Sequence, residues 1–187
     1  GLDSFVFSVS DGDLTDTAEI TLTIGAVNDA PVLATVSDVS FDEEGSGSIS
    51  LSASDVDGDD LTFSIIGGTS ITATLDGSNV SFSAPLNFNG SEEFSVSVTD
   101  DEYTDSQNFT VTVNAVNDAP VANAASAETS EDQSVVITLS GSDIDGDNLT
   151  YSLDTDASNG SVVLDGNLAT YIPTADFNGD DSFIFSV

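Results

Sequence analysis

Short runs in which apolar and polar residues alternate recur along the whole chain. Ile49 and Leu51 alternate with Ser, and so do Phe94, Val96 and Val98. An alternation with a period of two places one set of side chains on the buried face of a β-strand and the other set in solvent. Between the runs lie clusters of Gly, Asp, Asn and Ser, which favour turns. No helical period competes with this pattern, which therefore predicts an all-β protein.

The alternating runs belong to a longer repeat. The segment 27–31, Val-Asn-Asp-Ala-Pro, returns at 116–120, which is 89 positions later. The segment 5–9, Phe-Val-Phe-Ser-Val, has close copies at 94–98 and at 183–187, at the same interval of 89 residues. A regular interval of this kind indicates tandem structural repeats. The sequence thus predicts repeats with a period of about 89 residues.

The repeat divides the chain into five parts. Residues 1–26 are expected to be the C-terminal strands of a preceding repeat, and residues 27–31 a linker. Residues 32–115 are expected to form one complete repeat, followed by a second linker at 116–120. Residues 121–187 are then a further repeat that lacks its last strand.

The complete repeat is expected to contain seven strands, labelled A to G in chain order. An Asp-Gly pair at 76–77, repeated at 165–166, is a strong hairpin signal between strands D and E. Seven short strands with turn signals at this spacing predict a β-sandwich. Strand A is placed near Leu33–Phe41, and the inward positions of strands B, C, F and G are Ile49, Leu51 and Ala53, then Leu61, Phe63 and Ile65, then Phe94, Val96 and Val98, and last Phe109, Val111 and Val113.

All of the charged side chains are acidic. The chain has 34 acidic side chains and no Lys, Arg or His, which gives a formal charge of −34. Such a chain repels itself unless cations bind it, and it lacks the basic patches that nucleic acid and anionic membranes require. No window approaches the ~20 apolar residues of a membrane span. Cys is absent as well, so only packing or metal can brace the fold.

The same composition argues against catalysis. Without His, Cys, Lys or Arg, the usual general bases, thiol nucleophiles and cationic stabilisers are missing. Paired carboxylates can hydrolyse glycosides, but the acidic pairs of this chain recur in every repeat, which does not suit a single cleft. The sequence therefore predicts a protein that is not an enzyme.

The direction of the strands gathers acidic residues at the first linker. If strand A runs away from the preceding repeat, the B–C and F–G loops lie beside the linker that precedes strand A. The oxygen-bearing side chains expected at this first junction are Asn28 and Asp29 of the linker, Asp55, Asp57 and Asp59 of the B–C loop, and Asp100 of the F–G loop.

A second junction follows by the same logic. The A–B and E–F loops lie at the opposite end of the complete repeat, next to the second linker and the B–C loop of the next repeat. The residues expected there are Glu43, Glu44, Glu92, Asn117, Asp118, Asp143, Asp145 and Asp147.

A metal ion is the expected partner of these clusters. Two like charges 4 Å apart repel by ~4 kcal/mol at an effective dielectric constant of about 20, and no cationic side chain is available. Ligand sets made only of oxygen select hard cations, and a flexible site with many ligands favours Ca²⁺ over Mg²⁺. Repetition at both linkers makes solvated loop charges the weaker interpretation. The sequence therefore predicts calcium at both junctions.

These motifs resemble those of cadherins, and more closely the bacterial cadherin-like tandem repeats of large secreted calcium-binding adhesins. The linker is similar to the cadherin linker Asp-x-Asn-Asp-Asn, and Asp-x-Asp follows strand B in both repeats. Glu43 and Glu131 resemble the Glu that closes cadherin strand A. The cadherin Asp-Arg-Glu motif lacks its Arg here, and its carboxylate is assigned to Asp3, Glu92 and Asp181.

The resemblance implies a seven-stranded Greek-key sandwich of the cadherin and immunoglobulin type. It also implies calcium between repeats, stiffening a stalk or adhesin segment that is secreted and extends from a cell surface. The implied partners are adjacent repeats of the same chain, with no nucleic acid and no direct membrane insertion.

Two alternatives remain open at this stage. The first is a carbohydrate- or ligand-binding module that contacts cell-surface glycans, although Tyr103 is the one Tyr outside the predicted core. The second is a fibre subunit joined head to tail with other copies of itself. In that case strand donation would complete the repeat at 121–187, with residues 18–24 of another copy as the donated strand.

Overall fold

The computed structural model describes all residues 1–187 and contains eighteen β-strands and no helix. The chain forms two compact units, Gly1–Ala115 and Val116–Val187. No helix capable of crossing a membrane is found. The all-β prediction is confirmed.

The first unit begins with a hairpin of two strands, β1 (Leu2–Ser10) and β2 (Thr15–Thr23). Nine residue pairs join the two strands in antiparallel register, with Phe5 opposite Ile20. Every residue of both strands is exposed. The hairpin is thus paired along its backbone while its apolar side chains remain in contact with solvent.

The rest of the first unit contains nine strands. In terms of the predicted strands, β3 and β4 are strand A, β5 and β6 are strand B, and β7 to β11 are strands C to G. Their bounds are β3 (Val32–Leu33), β4 (Val39–Asp42), β5 (Ser46–Ser50), β6 (Ala53–Ser54), β7 (Thr62–Gly67), β8 (Thr72–Asp76), β9 (Asn79–Ser83), β10 (Gly90–Thr99) and β11 (Thr104–Asn114).

These strands form a sandwich. One sheet has the order β4-β11-β10-β7, and the other has the order β5-β9-β8, with β3 paired to β6. Strand β4 runs parallel to β11, and all other pairs are antiparallel. Strand β11 lies inside the first sheet, where it pairs with the edge strand β4 on one side and with β10 on the other.

Strand A differs from the expectation of one continuous strand near 33–41. It is divided because β3 pairs in one sheet and β4 in the other. Side chains of β11 satisfy the backbone where strand A crosses: the Asp105 carboxylate accepts a hydrogen bond from the Leu33 N–H at 2.9 Å, and Gln107 accepts one from the Val36 N–H at 3.1 Å. Polar side chains therefore replace the strand partners that the backbone loses at the crossing.

The core of the first unit lies between the two sheets. Three aromatic rings form its centre, with Phe82 edge-on to Phe94 at 5.4 Å and to Phe109 at 6.0 Å. Val96 and Val111 are completely buried beside them. These are inward positions of the predicted alternation, so the period-two pattern located the core correctly.

The second unit contains the remaining seven strands. They form one three-stranded sheet, β13-β17-β16, and two pairs, β12-β14 and β15-β18. Their bounds are β12 (Val121–Asn123), β13 (Val135–Thr138), β14 (Ser140–Ser142), β15 (Ser152–Thr155), β16 (Gly160–Asp165), β17 (Leu168–Pro173) and β18 (Ile184–Ser186).

The second unit has a smaller core than the first. Its buried residues are Leu139, Val162 and Ala169, whereas the first unit buries twelve hydrophobic residues in one cluster. Residues 124–130, which include the repeat position of β4, form no strand. In the first unit β11 contributes Phe109, Val111 and Val113 to the core as well as pairing with two strands.

The repeat supplies a matched pair of variants that tests this core. Phe94→Ala should lower the free energy of unfolding of the first unit by about 3–5 kcal/mol, because it removes a ring that is 2% exposed. Phe5→Ala, at the same repeat position in the hairpin, should change it by less than about 0.5 kcal/mol, because that ring is 52% exposed. Urea denaturation of dilute protein measures both, and equal losses would contradict the described core.

Candidate metal centre

The B–C loop of the first unit is built on one carboxylate. It follows β6, and Asp55 Oδ1 accepts hydrogen bonds from the backbone N–H groups of Asp57 at 2.8 Å, Gly58 at 3.1 Å and Asp59 at 3.4 Å. Gly58 has a φ of +79°, a conformation that residues with a side chain rarely adopt. The Asp-x-Asp-Gly-Asp sequence therefore folds back on its first carboxylate.

This turn brings three carboxylates together. The Asp55, Asp57 and Asp59 oxygens lie within 4.8 Å of one another. Burial raises the pKa of Asp59, and the negative charges of Asp55, Asp57 and Asp100 raise it further. The three side chains repel one another, so the loop concentrates negative charge at one point.

The linker and the F–G loop lie next to these three carboxylates. The Asn28 side-chain amide donates to Asp100 Oδ2 at 2.9 Å, and the backbone N–H of Asp29 donates to Asp57 Oδ2 at 2.8 Å. Asp100 Oδ1 also accepts from the Tyr103 N–H at 2.6 Å. This hydrogen bond, together with the one from Asn28, holds the pKa of Asp100 below its usual value.

We call Asn28, Asp29, Asp55, Asp57, Asp59 and Asp100 the first carboxylate cluster. One oxygen in it has no partner: Asp55 Oδ2 is buried and makes no hydrogen bond. A buried carboxylate oxygen that lacks a partner is costly. The donor set consists of oxygen atoms, which suits Ca²⁺, and the chain offers no cationic side chain to take the ion's place.

The B–C loop of the second unit is built in the same way as that of the first. Asp143 Oδ1 accepts from the N–H groups of Asp145 at 3.0 Å and Asp147 at 3.1 Å, and Asp145 Oδ2 accepts from the Asp118 N–H at 2.7 Å. The Asn117 amide donates to the backbone oxygen of Asp118 at 3.0 Å, whereas Asn28 reaches the F–G loop.

The predicted acidic residues of the A–B loops occupy matching turns. Glu43 is 6% exposed, and its N–H donates to the Asn114 oxygen at 2.9 Å. The next residue, Glu44, has a φ of 64°, and Asp132 has a φ of 61° in the corresponding turn after Glu131. The structure thus places these predicted residues in the A–B turns of their own units.

Glu92, a predicted ligand of the second junction, accepts hydrogen bonds from the C–D loop of its own repeat. Its two carboxylate oxygens accept from the Thr69 N–H and hydroxyl and from the Ser70 and Ile71 N–H groups, at 2.6 to 3.3 Å. The hydrogen bond from the Thr69 hydroxyl is the main reason that the pKa of Glu92 falls to about 2. Gly68 permits the tight loop, since a Cβ there would lie 2.4 Å from the Ile71 oxygen. Glu92 thus caps the C–D loop.

Asp181 performs the same task in the second unit. It accepts from the Asn159 N–H at 2.9 Å and from the Tyr171 hydroxyl at 3.0 Å. Burial raises its pKa, but these hydrogen bonds outweigh burial and lower the pKa overall. Asp3, at the same repeat position in the hairpin, accepts from the Ser4 N–H at 2.9 Å. The absence of the Arg from the cadherin-like motif was the one sequence signal that set this position apart.

The chain belongs to the bacterial Ig domain family. The family model matches residues 28–112 and again residues 117–187. The two matches confirm the prediction of tandem repeats of the immunoglobulin and cadherin type. No curated protein sequence matches the chain.

Solved cadherin structures share the fold. Human protocadherin-24 EC1-2 Form II is 18% identical with a TM-score of 0.55, over 84% of this chain and 86% of that chain. Another structure of human protocadherin-24 EC1-2 gives 19% identity and a TM-score of 0.50, over 80% of this chain and 79% of that chain. At this identity the likeness shows the fold alone, and it confirms the cadherin-like sandwich.

An endo-fucoidan hydrolase from glycoside hydrolase family 107 is also similar over 99% of the chain, at 19% identity and a TM-score of 0.40. The chain spans 31% of the length of that enzyme. A superposition of this quality says nothing about the activity of the present chain.

The capping role of Glu92 makes a testable prediction. A depressed pKa means that ionised Glu92 stabilises the first unit at neutral pH, and this stabilisation is lost as the pH falls from about 4.5 to about 2. Glu92→Gln should therefore cost on the order of 1 kcal/mol at neutral pH. The difference between variant and parent should shrink on acidification, as measured by urea denaturation at several pH values.

Glu93→Gln is the control, because it removes the same charge from the exposed neighbouring position. It should leave the stability at neutral pH nearly unchanged. A Glu92→Gln variant as stable as this control at neutral pH would show that the cap does not stabilise the C–D loop.

Proposed function

We propose that the chain is a calcium-binding segment of an extracellular stalk or adhesin, and that calcium binds at the first carboxylate cluster. The observation that carries the proposal is Asp55 Oδ2, a buried oxygen without a partner in a cluster of carboxylates. A cation at this oxygen would satisfy it and would offset the repulsion among Asp55, Asp57 and Asp59.

The ligand chemistry supports calcium over other cations. Ca²⁺ takes six to eight oxygen ligands from carboxylates, backbone carbonyls and water in a flexible geometry. The cluster offers four carboxylates from two loops in addition to the linker. Mg²⁺ demands a tighter octahedral arrangement, and soft metals prefer the Cys and His that this chain lacks.

Calcium at this position would fix the linker. Asn28 and Asp29 are already hydrogen-bonded to the F–G and B–C loops of the repeat that follows them. An ion bound among the same groups would tie the linker to that repeat and limit its bending. A stalk built from such repeats would be stiff with calcium and flexible without it.

We further propose that the repeat boundaries are those expected from the sequence, and that a corresponding site forms at the second linker. Its ligands would come from the linker and from the B–C loop that follows it. The hydrogen bonds to Glu92 and Asp181 favour a capping role for these two carboxylates. The remaining proposed ligands are Asn117, Asp118, Asp143, Asp145 and Asp147, with Glu43, Glu44 and Glu131 from the A–B loops.

The family supports a structural rather than a catalytic role. Bacterial Ig domains and cadherin domains are typically non-enzymatic and are usually found outside the cell. The partners that this role requires are neighbouring repeats and other copies of the chain. A glycan partner remains a weaker proposal, because Tyr103 alone among the three Tyr residues is exposed, at 44%.

Calorimetric titration tests the metal site. Calcium should bind with a dissociation constant of ~0.1–1 mM, the range of extracellular modules. At a calcium concentration about 100 times that constant, the first unit should gain ~2.7 kcal/mol of stability. Asp57→Asn should remove the binding at the first cluster, since it deletes one charge while its side-chain oxygen can still accept from Asp29.

Asp60→Asn is the matched control. It removes the same charge one residue beyond the cluster, and the second repeat already has Asn148 at this position. This variant should keep the calcium affinity of the parent to within about threefold. The proposal fails if the parent shows no saturable binding, or if both variants weaken binding equally.

A further inference from the structure

The sheet β13-β17-β16 of the second unit has an outward face that is largely apolar. Side chains alternate between the two faces of a strand, so the outward positions of these strands form a regular set. The apolar members of the set are exposed by between 42% and 58%. We call the set the apolar sheet face, and its residues are Val136, Thr138, Ser161, Val163, Asp165, Leu168, Thr170 and Ile172.

The matching sheet of the first unit, β5-β9-β8, has the same register and a polar outward face. Ser81 lies between Ser48 and Thr74 there, as Thr170 lies between Val136 and Val163. The outward positions are exposed in both units, so their exposure is a property of the sandwich. What differs is the residue type, since the first unit replaces Val136, Val163, Leu168 and Ile172 with Ser48, Thr74, Asn79 and Ser83.

The core of the second unit does not use these apolar side chains. Its buried residues Val162 and Ala169 lie on the inward faces of β16 and β17, next in sequence to Val163 and Leu168. The apolar sheet face therefore adds nothing to the core. Contiguous apolar surface of this kind on a soluble protein marks a contact surface.

We propose that two copies of this chain pack against each other through the apolar sheet face, about a two-fold axis that passes Thr170. Val136 and Val163 flank Thr170 on the neighbouring strands, and Leu168 and Ile172 lie two residues away along β17. An axis along β17, in the plane of the contact, sets Val136 against Val163 of the second copy. The same axis sets Leu168 and Ile172 each against itself, so the face is self-complementary, as a two-fold contact requires.

The charge of the chain favours a contact at this face. With 34 acidic side chains and no Lys, Arg or His, two copies repel each other over most of their surface. The apolar sheet face carries a single carboxylate, that of Asp165 at the end of β16. The two-fold axis sets Asp165 opposite Thr138 of the second copy, whose hydroxyl can donate a hydrogen bond. The contact therefore brings no two carboxylates together.

The size of the face implies a weak contact. With strands about 4.8 Å apart and outward residues about 6.8 Å apart along each strand, the face covers roughly 300 Å² on each copy. Stable interfaces bury at least about 1,200 Å² in total, so we expect a dissociation constant on the order of 1 mM. Weak contacts become strong when several act together. In the stalk proposed above, they would hold neighbouring stalks side by side.

Sedimentation equilibrium of the full 187-residue chain tests the association. In 1 M NaCl the Debye length falls to about 3 Å, and EDTA keeps calcium away. At about 1 mM chain the weight-average mass should be about 1.5 times the 19.1 kDa of one copy. In about 0.1 M salt it should be lower, because repulsion between the copies is less screened. A mass that stays at one copy in both salts, or an association that salt weakens, would overturn the inference.

Exchanging residues between the repeats tests which surface is responsible. A variant with Val136→Ser, Val163→Thr, Leu168→Asn and Ile172→Ser gives the second unit the residues of the first. All four positions are exposed, so the circular dichroism spectrum should match that of the parent. The mass should remain that of one copy at every concentration. Association equal to that of the parent would contradict the proposed face.

The reverse exchange guards against a variant that merely fails to fold. In the background of the first variant, the first unit receives Ser48→Val, Thr74→Val, Asn79→Leu and Ser83→Ile. This moves the apolar face to β5-β9-β8, whose register is the same. The association should return, and a chain that stays at the mass of one copy would count against the inference.

A single Cys tests the position of the two-fold axis, because the chain has no Cys of its own. Thr170 would lie opposite itself, with the facing sheets about 10 Å apart, which is beyond the reach of a disulfide. A short bis-maleimide should therefore link Thr170→Cys chains into pairs. Ser81→Cys, at the same position in the first unit, is the control and should stay unlinked. Equal linking of both variants would contradict the axis.

The inference and the proposed function fail separately. Association in EDTA by a chain that shows no saturable calcium binding would support the apolar sheet face and overturn the proposed function. Calcium binding at the first carboxylate cluster in a chain that stays at the mass of one copy would overturn the inference alone.

Discussion

Acidic side chains hold the loops of this protein by accepting hydrogen bonds from backbone N–H groups. A chain with 34 carboxylates and no Lys, Arg or His has no side-chain ion pairs to use. Asp55 and Asp143 organise the B–C loops in this way, and Glu92 and Asp181 cap the C–D loops. Each loop is therefore fixed by charge-assisted hydrogen bonds, which are about twice as strong as neutral ones.

Asp55 differs from these other carboxylates in its hydrogen bonding. Most of the carboxylates described above are exposed to water, and Glu92 has both of its oxygens engaged by the C–D loop. Asp55 Oδ2 is buried beside two other carboxylates and has no donor. Backbone N–H groups donate hydrogen bonds to Oδ1 of Asp55, and no group donates to Oδ2. In a chain without cationic side chains, a metal ion is the simplest partner.

The repeat and the period-two alternation were sufficient to predict the fold. The inward positions of strands F and G supply half of the buried core cluster of the first unit, and the B–C loops lie beside their linkers. The division of strand A could not be predicted, because it depends on where Asp105 and Gln107 of β11 reach the backbone. The hydrogen bonds that Glu92 and Asp181 accept from the C–D loops could not be predicted for a similar reason. Whether a carboxylate meets a metal or an N–H group is decided by the fold of a neighbouring loop.

The most direct test of the account is a crystal structure of the chain grown with calcium, with anomalous scattering used to locate the ion. The account predicts an anomalous peak 2.3–2.6 Å from Asp55 Oδ2, with oxygens of Asp57 and Asp59 in the same coordination sphere. A crystal grown in calcium that shows only water at Asp55 Oδ2, or no peak among these carboxylates, would contradict it.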